Sequence, residues 1–215
     1  MSMSETFGRP LGSAKDAINA ATRAVPPWVL YALAASYGGW VFFEGATGRL
    51  GPEPIEALEH VYGLRALQVI ILGLAVTPLR TFAGLNLMKH RRAIGVIAFF
   101  LVLAHFLVWA LLDIGQLSAI WADIVKRPYV TIGMAGFLLL IPLGLTSNNW
   151  SVRKLGGARW RKLHKLVYPA AALGGLHFVW LAKGFQVEPL VYTGVILGLL
   201  ALRLPFLQPK RRARG

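Results

Sequence analysis

Six stretches of this sequence are apolar enough and long enough to cross a lipid bilayer, and that limits the fold before any motif is read. A hydrocarbon core about 30 Å thick takes roughly 20 predominantly apolar residues in helical form. Backbone polar groups inside it must be satisfied within the spanning structure. The stretches lie near residues 27 to 44, 64 to 83, 93 to 112, 129 to 146, 166 to 182 and 187 to 206. The fifth is short and carries Pro169, so it depends on neighbouring helices to satisfy freed backbone groups. With 56% hydrophobic residues the chain does not read as a small soluble domain. The expected fold is an all-α integral membrane protein. A cytoplasmic N-terminal arm covers 1–26, a six-transmembrane-helix bundle 27–206 and a basic cytoplasmic tail 207–215.

Charge sets the orientation. If both termini lie on one side, the N-terminal arm, loop 80–92, loop 147–165 and the tail from Arg203 hold 18 of the 23 Lys and Arg residues. Those segments contain only Glu5 and Asp16 among the acids. The opposite face carries Arg49, Arg65, Lys126, Arg127 and Lys183 against Glu44, Glu53, Glu56, Glu59, Asp113, Asp123 and Glu188. Positive charge collects on the cytoplasmic side of membrane proteins, so both termini are expected there. Topology and attraction to anionic membrane lipids account for the net charge of +14, and no nucleic-acid partner is expected. The first 26 residues lack a short apolar run ending in a small-residue cleavage site, so the first span is expected to act as its own insertion signal.

The connections add detail. "EGATGRLGPEPIEALEH" is expected to end in a short interfacial helix, and Pro78 in "TPLR" interrupts span two near its inner end. "DIGQLSAIWADIVKRPY" spaces Leu117, Ile120, Trp121 and Ile124 as a helix lying on the membrane surface would. "TSNNWSVRKLGGARWRKLHK" reads as a polar, basic loop hinged at Gly156 and Gly157.

The chemistry rests on histidine. The chain has no cysteine, which excludes disulfides, iron–sulfur clusters and thiolate haem, so any redox metal must be held by imidazole or oxygen. An ionisable side chain inside a span is expensive and points to function. His105 and His177 meet that condition: counted from Arg92 and Lys165, they lie 13 and 12 residues into spans three and five, which run in the same direction. Both therefore sit roughly 18 to 20 Å from the inner boundary, and two imidazoles at equal depth can clamp one haem from opposite faces. The competing reading is a pair of buried histidines bonded to neighbouring helices. His164 stands at the inner mouth of span five. A second haem there lacks a histidine partner on span three, where Arg91 and Arg92 occupy that depth. His164 is thus also a candidate for a haem propionate or a flavin phosphate, beside Arg153, Lys154, Arg159, Arg161 and Lys162, or for a plain solvated loop. His60 reads as an interfacial histidine, and His90 as a loop residue with no assigned role.

The segments "LRALQVIILGLAVTPLR", "RRAIGVIAFFLVLAHF", "KRPYVTIG", "LTSN" followed by "RKLGGARWRKLHKLVY", and "LHFVWLAKG" resemble the MsrQ (YedZ) family, the haem-binding membrane subunits of periplasmic methionine sulfoxide reductase systems, within the ferric-reductase-like transmembrane domains. The similarity runs from about residue 55 to 205. It implies a six-span b-type haem protein of the bacterial inner membrane that takes electrons from a cytoplasmic flavin reductase or quinol. The implied acceptor is a periplasmic molybdopterin subunit, MsrP. It also implies His105 and His177 as haem ligands, His164 as the histidine after "RWRKL", and FMN as an associated cofactor. Arginine at 91 and 92, where a two-haem pattern has histidine, favours one haem and leaves two open. The alternatives are a ferric or quinone reductase without a dedicated protein partner, and a transporter or assembly factor relaying protons.

Overall fold

The structure is a computed structural model, and it describes residues 12–182 and 186–204. The expected tail, the start of the arm, Lys183 and the end of span six lie outside the described residues. Among the described residues ten α-helices follow one another: α1 (Gly12–Ala24), α2 (Pro27–Ala46), α3 (Pro54–Pro78), α4 (Arg91–Leu107), α5 (Leu117–Lys126), α6 (Pro128–Leu145), α7 (Asn149–Leu155), α8 (Gly157–Leu163), α9 (Val167–Leu181) and α10 (Val187–Ala201). There is no strand among the described residues. Proline occupies the first position of α2, α3 and α6, where its fixed φ suits the helix and its missing N–H has no partner to lose.

Within the described residues the six apolar stretches are helical over most of their length. Pro54–Ala83, Met88–Ile114 and Pro128–Leu145 are each long and apolar enough to cross a membrane. The first is α3 running on through a π-helical turn, Leu79–Ala83, and the second is α4 with a 3-10 turn before it and a π-helical turn, Val108–Ile114, after it. The short interfacial helix expected before span two is not separate: nothing between Pro54 and Pro78 breaks the pattern, and α3 is one helix. Pro169 falls in the first turn of α9, directly after the 3-10 turn His164–Leu166. Large apolar side chains face outward around the bundle, among them Phe100 at 59%, Leu138 at 58% and Leu197 at 56% exposure, as a lipid-facing surface requires.

Two helix pairs form the frame. α3 packs along α4, and α6 along α9, more extensively than any other pairs; α10 covers α9 and α3, α2 lies on α3 and α4, and α4 meets α6. One core cluster joins Leu67, Ile70 and Leu74 of α3 to Ala98, Leu140, Ala170, Ala171 and Ile196. A second joins Val41 to Leu58, Tyr62, Ala66, Leu101 and Val108. Polar ties cross between helices. Arg65, counted from the sequence among the outer-loop charges, lies within α3 and donates to the Tyr37 hydroxyl (2.9 Å) and to Gln68 Oε1 (2.8 Å). Gln68 in turn donates to the Tyr192 hydroxyl (2.6 Å), so α2, α3 and α10 are linked. Pro78 has no N–H for the Leu74 carbonyl, and Arg203 Nη2 donates to that carbonyl instead.

Several connections differ from the sequence reading. Residues 12–24, expected as part of a flexible arm, form α1, which is fastened to the turn between α3 and α4. Asn19 donates to the Gly84 carbonyl (3.0 Å) and accepts from the Asn86 N–H (2.8 Å). Lys89 and the buried His90 bond the Arg23 and Thr22 carbonyls at the end of α1, groups left without helical partners. His90 is therefore a helix-capping residue. The basic inner loop is two short helices, α7 and α8, separated at Gly156, whose φ of +75° suits only glycine. α5 is amphipathic as expected but divides its apolar residues: Ile120 and Ile124 are partly buried, and Leu117, Trp121 and Val125 are exposed.

Candidate functional site

Helical rise is constant, so two residues at equal depth on helices running the same way come level. α4 and α9 bring His105 and His177 together with ring centres 6.3 Å apart and planes inclined at 72°. Each ring is held from a helix other than its own. His105 Nδ1 lies 2.9 Å from the Glu59 carbonyl on α3, and His177 Nδ1 lies 2.7 Å from the Tyr129 carbonyl on α6. A carbonyl can only accept, so each Nδ1 carries the proton and each Nε2 keeps its lone pair. Neither Nε2 enters a hydrogen bond among the described residues.

Two neutral imidazoles with free Nε2 atoms and carbonyl-bound Nδ1–H groups form a donor set suited to one metal ion between them. A metal–imidazole bond of about 2.0 Å on each side, plus the half-width of each ring, puts the ring centres of opposed ligands about 6 Å apart, which agrees with the observed separation. No group of three or more His, Cys, Asp or Glu side chains lies close enough to hold a metal ion among the described residues. Two opposed imidazoles suit a metal whose remaining positions a macrocycle would fill. Aromatic rings stack between the same helices: Phe106 on Phe137 (4.8 Å, 23°), and Phe137 on Phe99 (6.4 Å, 15°). His60 is exposed, its ring 6.2 Å from Phe178, the residue after His177.

His164 is not brought to this pair. It lies in the 3-10 turn His164–Leu166 before α9, stacked on Trp160 at 3.8 Å. Its Nδ1 is 3.2 Å from the Trp160 carbonyl and its Nε2 3.4 Å from Ser147 Oγ. Burial holds its pKa below the usual 6.5, opposed by the Trp160 carbonyl and reinforced by Arg91 and Arg92. Trp160 is itself fixed by donating to the Thr146 carbonyl at 2.8 Å. The Glu59 and Tyr129 carbonyls, which hold the paired rings, were not identified from the sequence. A backbone acceptor leaves no residue-type signature.

With this geometry established, comparison with known proteins places it. The family described as "Ferric reductase like transmembrane component" matches residues 62–175, just over half of the chain. The chain belongs to that family, a class of multi-pass membrane proteins. Within it the chain groups with proteins named protein-methionine-sulfoxide reductase heme-binding subunit MsrQ. The one from Brucella anthropi is 48% identical over 188 residues, covering 87% of this chain and 84% of the relative. The one from Brucella ovis is 48% identical over 194 residues, covering 87% and 88%. No solved structure matches.

Proposed function

We propose that this chain is the haem-carrying membrane subunit of a protein-methionine-sulfoxide reductase system, and that it moves electrons from the cytoplasm to a periplasmic molybdopterin subunit, MsrP, supporting repair of oxidised envelope proteins. The observation that carries the reading is the His105–His177 pair, with both Nδ1 atoms bound to carbonyls and both Nε2 atoms free. A bound b-type haem would supply a one-electron couple at that point. The protein does the rest. His105 and His177 present Nε2, and the Glu59 and Tyr129 carbonyls hold the tautomer and raise the basicity of each ring.

The reading places six spans in the bacterial inner membrane with both termini in the cytoplasm. The charge asymmetry supports this orientation. α9 and α10, at 15 residues each, cover only about 22 Å, so their flanking turns complete the crossing. The basic end, with His164, Arg91, Arg92, Arg153 and Lys154, faces the donor, a flavin reductase or quinol. FMN belongs at this end by charge. His105 and His177 lie nearer the acidic end, where Glu53 and Glu56 face the partner.

The test is electron flow in vesicles holding the purified chain. NADH with a flavin reductase and free flavin should reduce the haem, and adding the periplasmic molybdopterin subunit with methionine sulfoxide should reoxidise it. Reoxidation by ferric chelates but never by that subunit would overturn the reading in favour of a ferric reductase.

A further inference from the structure

His105 and His177 project from α4 and α9, yet each ring is seated on another helix, and the two seats have the same construction. On α3, the Glu59 carbonyl takes the His105 Nδ1 proton, and one turn later Gly63 faces the ring. A Cβ at Gly63 would stand 3.0 Å from Nδ1 and 3.1 Å from Cε1. On α6, the Tyr129 carbonyl takes the His177 Nδ1 proton, and one turn later Gly133 faces that ring. A Cβ there would stand 2.8 Å from Nδ1 and 3.0 Å from Cε1. Residues i and i+4 share a helix face, so carbonyl and glycine together make a flat bed for an imidazole.

Among the described glycines, Gly63 and Gly133 are the ones that face a histidine ring. Gly95 of α4 faces open space, and a Cβ at Gly73 of α3 would make an ordinary 3.5 Å contact with Ile94. An imidazole cannot fold away from a methyl group as the end of a long chain can. It must move as a plane, and since Nδ1 is both the hydrogen-bonded atom and the nearest one, moving it breaks the carbonyl bond and swings Nε2 out of line.

We propose that Gly63 and Gly133 are positioning residues: a repeated seat that lets each carbonyl fix its histidine as the Nδ1–H tautomer and aims both Nε2 atoms at one centre. The proposal rests on the reading of the pair as haem ligands. The seats are unequal. The Gly133 contact is the tighter, so the His177 ligand is the more sensitive of the two.

The experiment compares the full-length chain in detergent with Gly133→Ala, Gly63→Ala, Gly95→Ala and Gly144→Ala. The last is a packing control: a Cβ there would stand 2.6 Å from the Phe99 ring rather than against a histidine. The readouts are haem per chain, carbon monoxide binding to the reduced protein, and thermal unfolding. Iron held by two imidazoles has no open position for carbon monoxide, and iron that has lost one does. Gly133→Ala should retain haem about tenfold more weakly, as loss of a ligand-orienting contact does, with carbon monoxide binding to whatever haem remains. Gly63→Ala should change in the same direction by less, and it carries the test if Gly133→Ala fails to insert. Gly95→Ala should match wild type, and Gly144→Ala should unfold at lower temperature without binding carbon monoxide. Wild-type haem content and no carbon monoxide binding in both seat variants would overturn the proposal. So would equal carbon monoxide binding by Gly144→Ala, which would mark a general packing effect. A wild-type chain that holds no haem would overturn the ligand reading itself, a result the variants cannot mimic.

Discussion

His164 and His177 lie on the same stretch of helix, before and within α9, and the fold treats them in opposite ways. His177 has one nitrogen bonded to a carbonyl on α6 and the other without a hydrogen bond among the described residues, its ring centre 6.3 Å from that of His105. His164 has both nitrogens near polar partners, its ring stacked on Trp160, and Arg91 and Arg92 close by. An imidazole becomes an available ligand only where neighbours fix one nitrogen and leave the other open. On the proposed reading His177 serves as a ligand and His164 as part of the scaffold at the basic end.

The largest effect expected from this contrast is on haem content. His105→Ala or His177→Ala should abolish haem binding with membrane insertion intact, and His164→Ala should keep about one haem per chain with its two-imidazole spectrum. Pyridine extraction and visible spectra read both, and equal loss in all three variants would break the comparison. A smaller effect concerns the fastening of α1. Asn19→Ala removes two hydrogen bonds, from Asn19 to Gly84 and from Asn86 to Asn19, and should destabilise by about 1 to 2 kcal/mol. Hydrogen exchange should show α1 released while the haem spectrum stays unchanged. Smaller again, Trp160→Phe keeps a ring against His164 and loses the bond to the Thr146 carbonyl. It should cost about 0.5 to 1.5 kcal/mol in thermal unfolding.

The smallest effect is pH-dependent. Because burial lowers the pKa of His164 from 6.5, the unfolded chain binds this proton more readily than the folded one. The contribution to stability is complete above pH 6.5 and is lost as pH falls toward the lowered folded value. The difference in unfolding temperature between wild type and His164→Gln should therefore shift against wild type as pH falls below 6.5. A shift of the opposite sign would mean that His164 is held protonated.

Helices and relative depth could be read from the sequence because they depend on regular quantities. Apolar runs mark the helices, and a constant rise per residue puts His105 and His177 level, as their ring separation bears out. The amphipathic pattern of α5 was visible for the same reason. What holds the rings was not visible. The Glu59 and Tyr129 carbonyls belong to residues whose side chains say nothing of the contact, and Gly63 and Gly133 look like any glycine in a membrane helix. A common spacing was available, since each glycine follows its carbonyl residue by one turn, but it acquires meaning only when α4 and α9 lie against α3 and α6. Helix α1 was missed because its partners, Gly84, Asn86, Lys89 and His90, lie in a turn far along the chain.

The most direct test of the central claim is a reduced-minus-oxidised visible spectrum of the detergent-purified chain, with haem per chain from pyridine extraction, for wild type and for His177→Ala. The account predicts sharp b-type bands at about one haem per chain in the wild type and none in the variant. A colourless wild type after haem-supplemented expression, or a variant with wild-type bands, would contradict it.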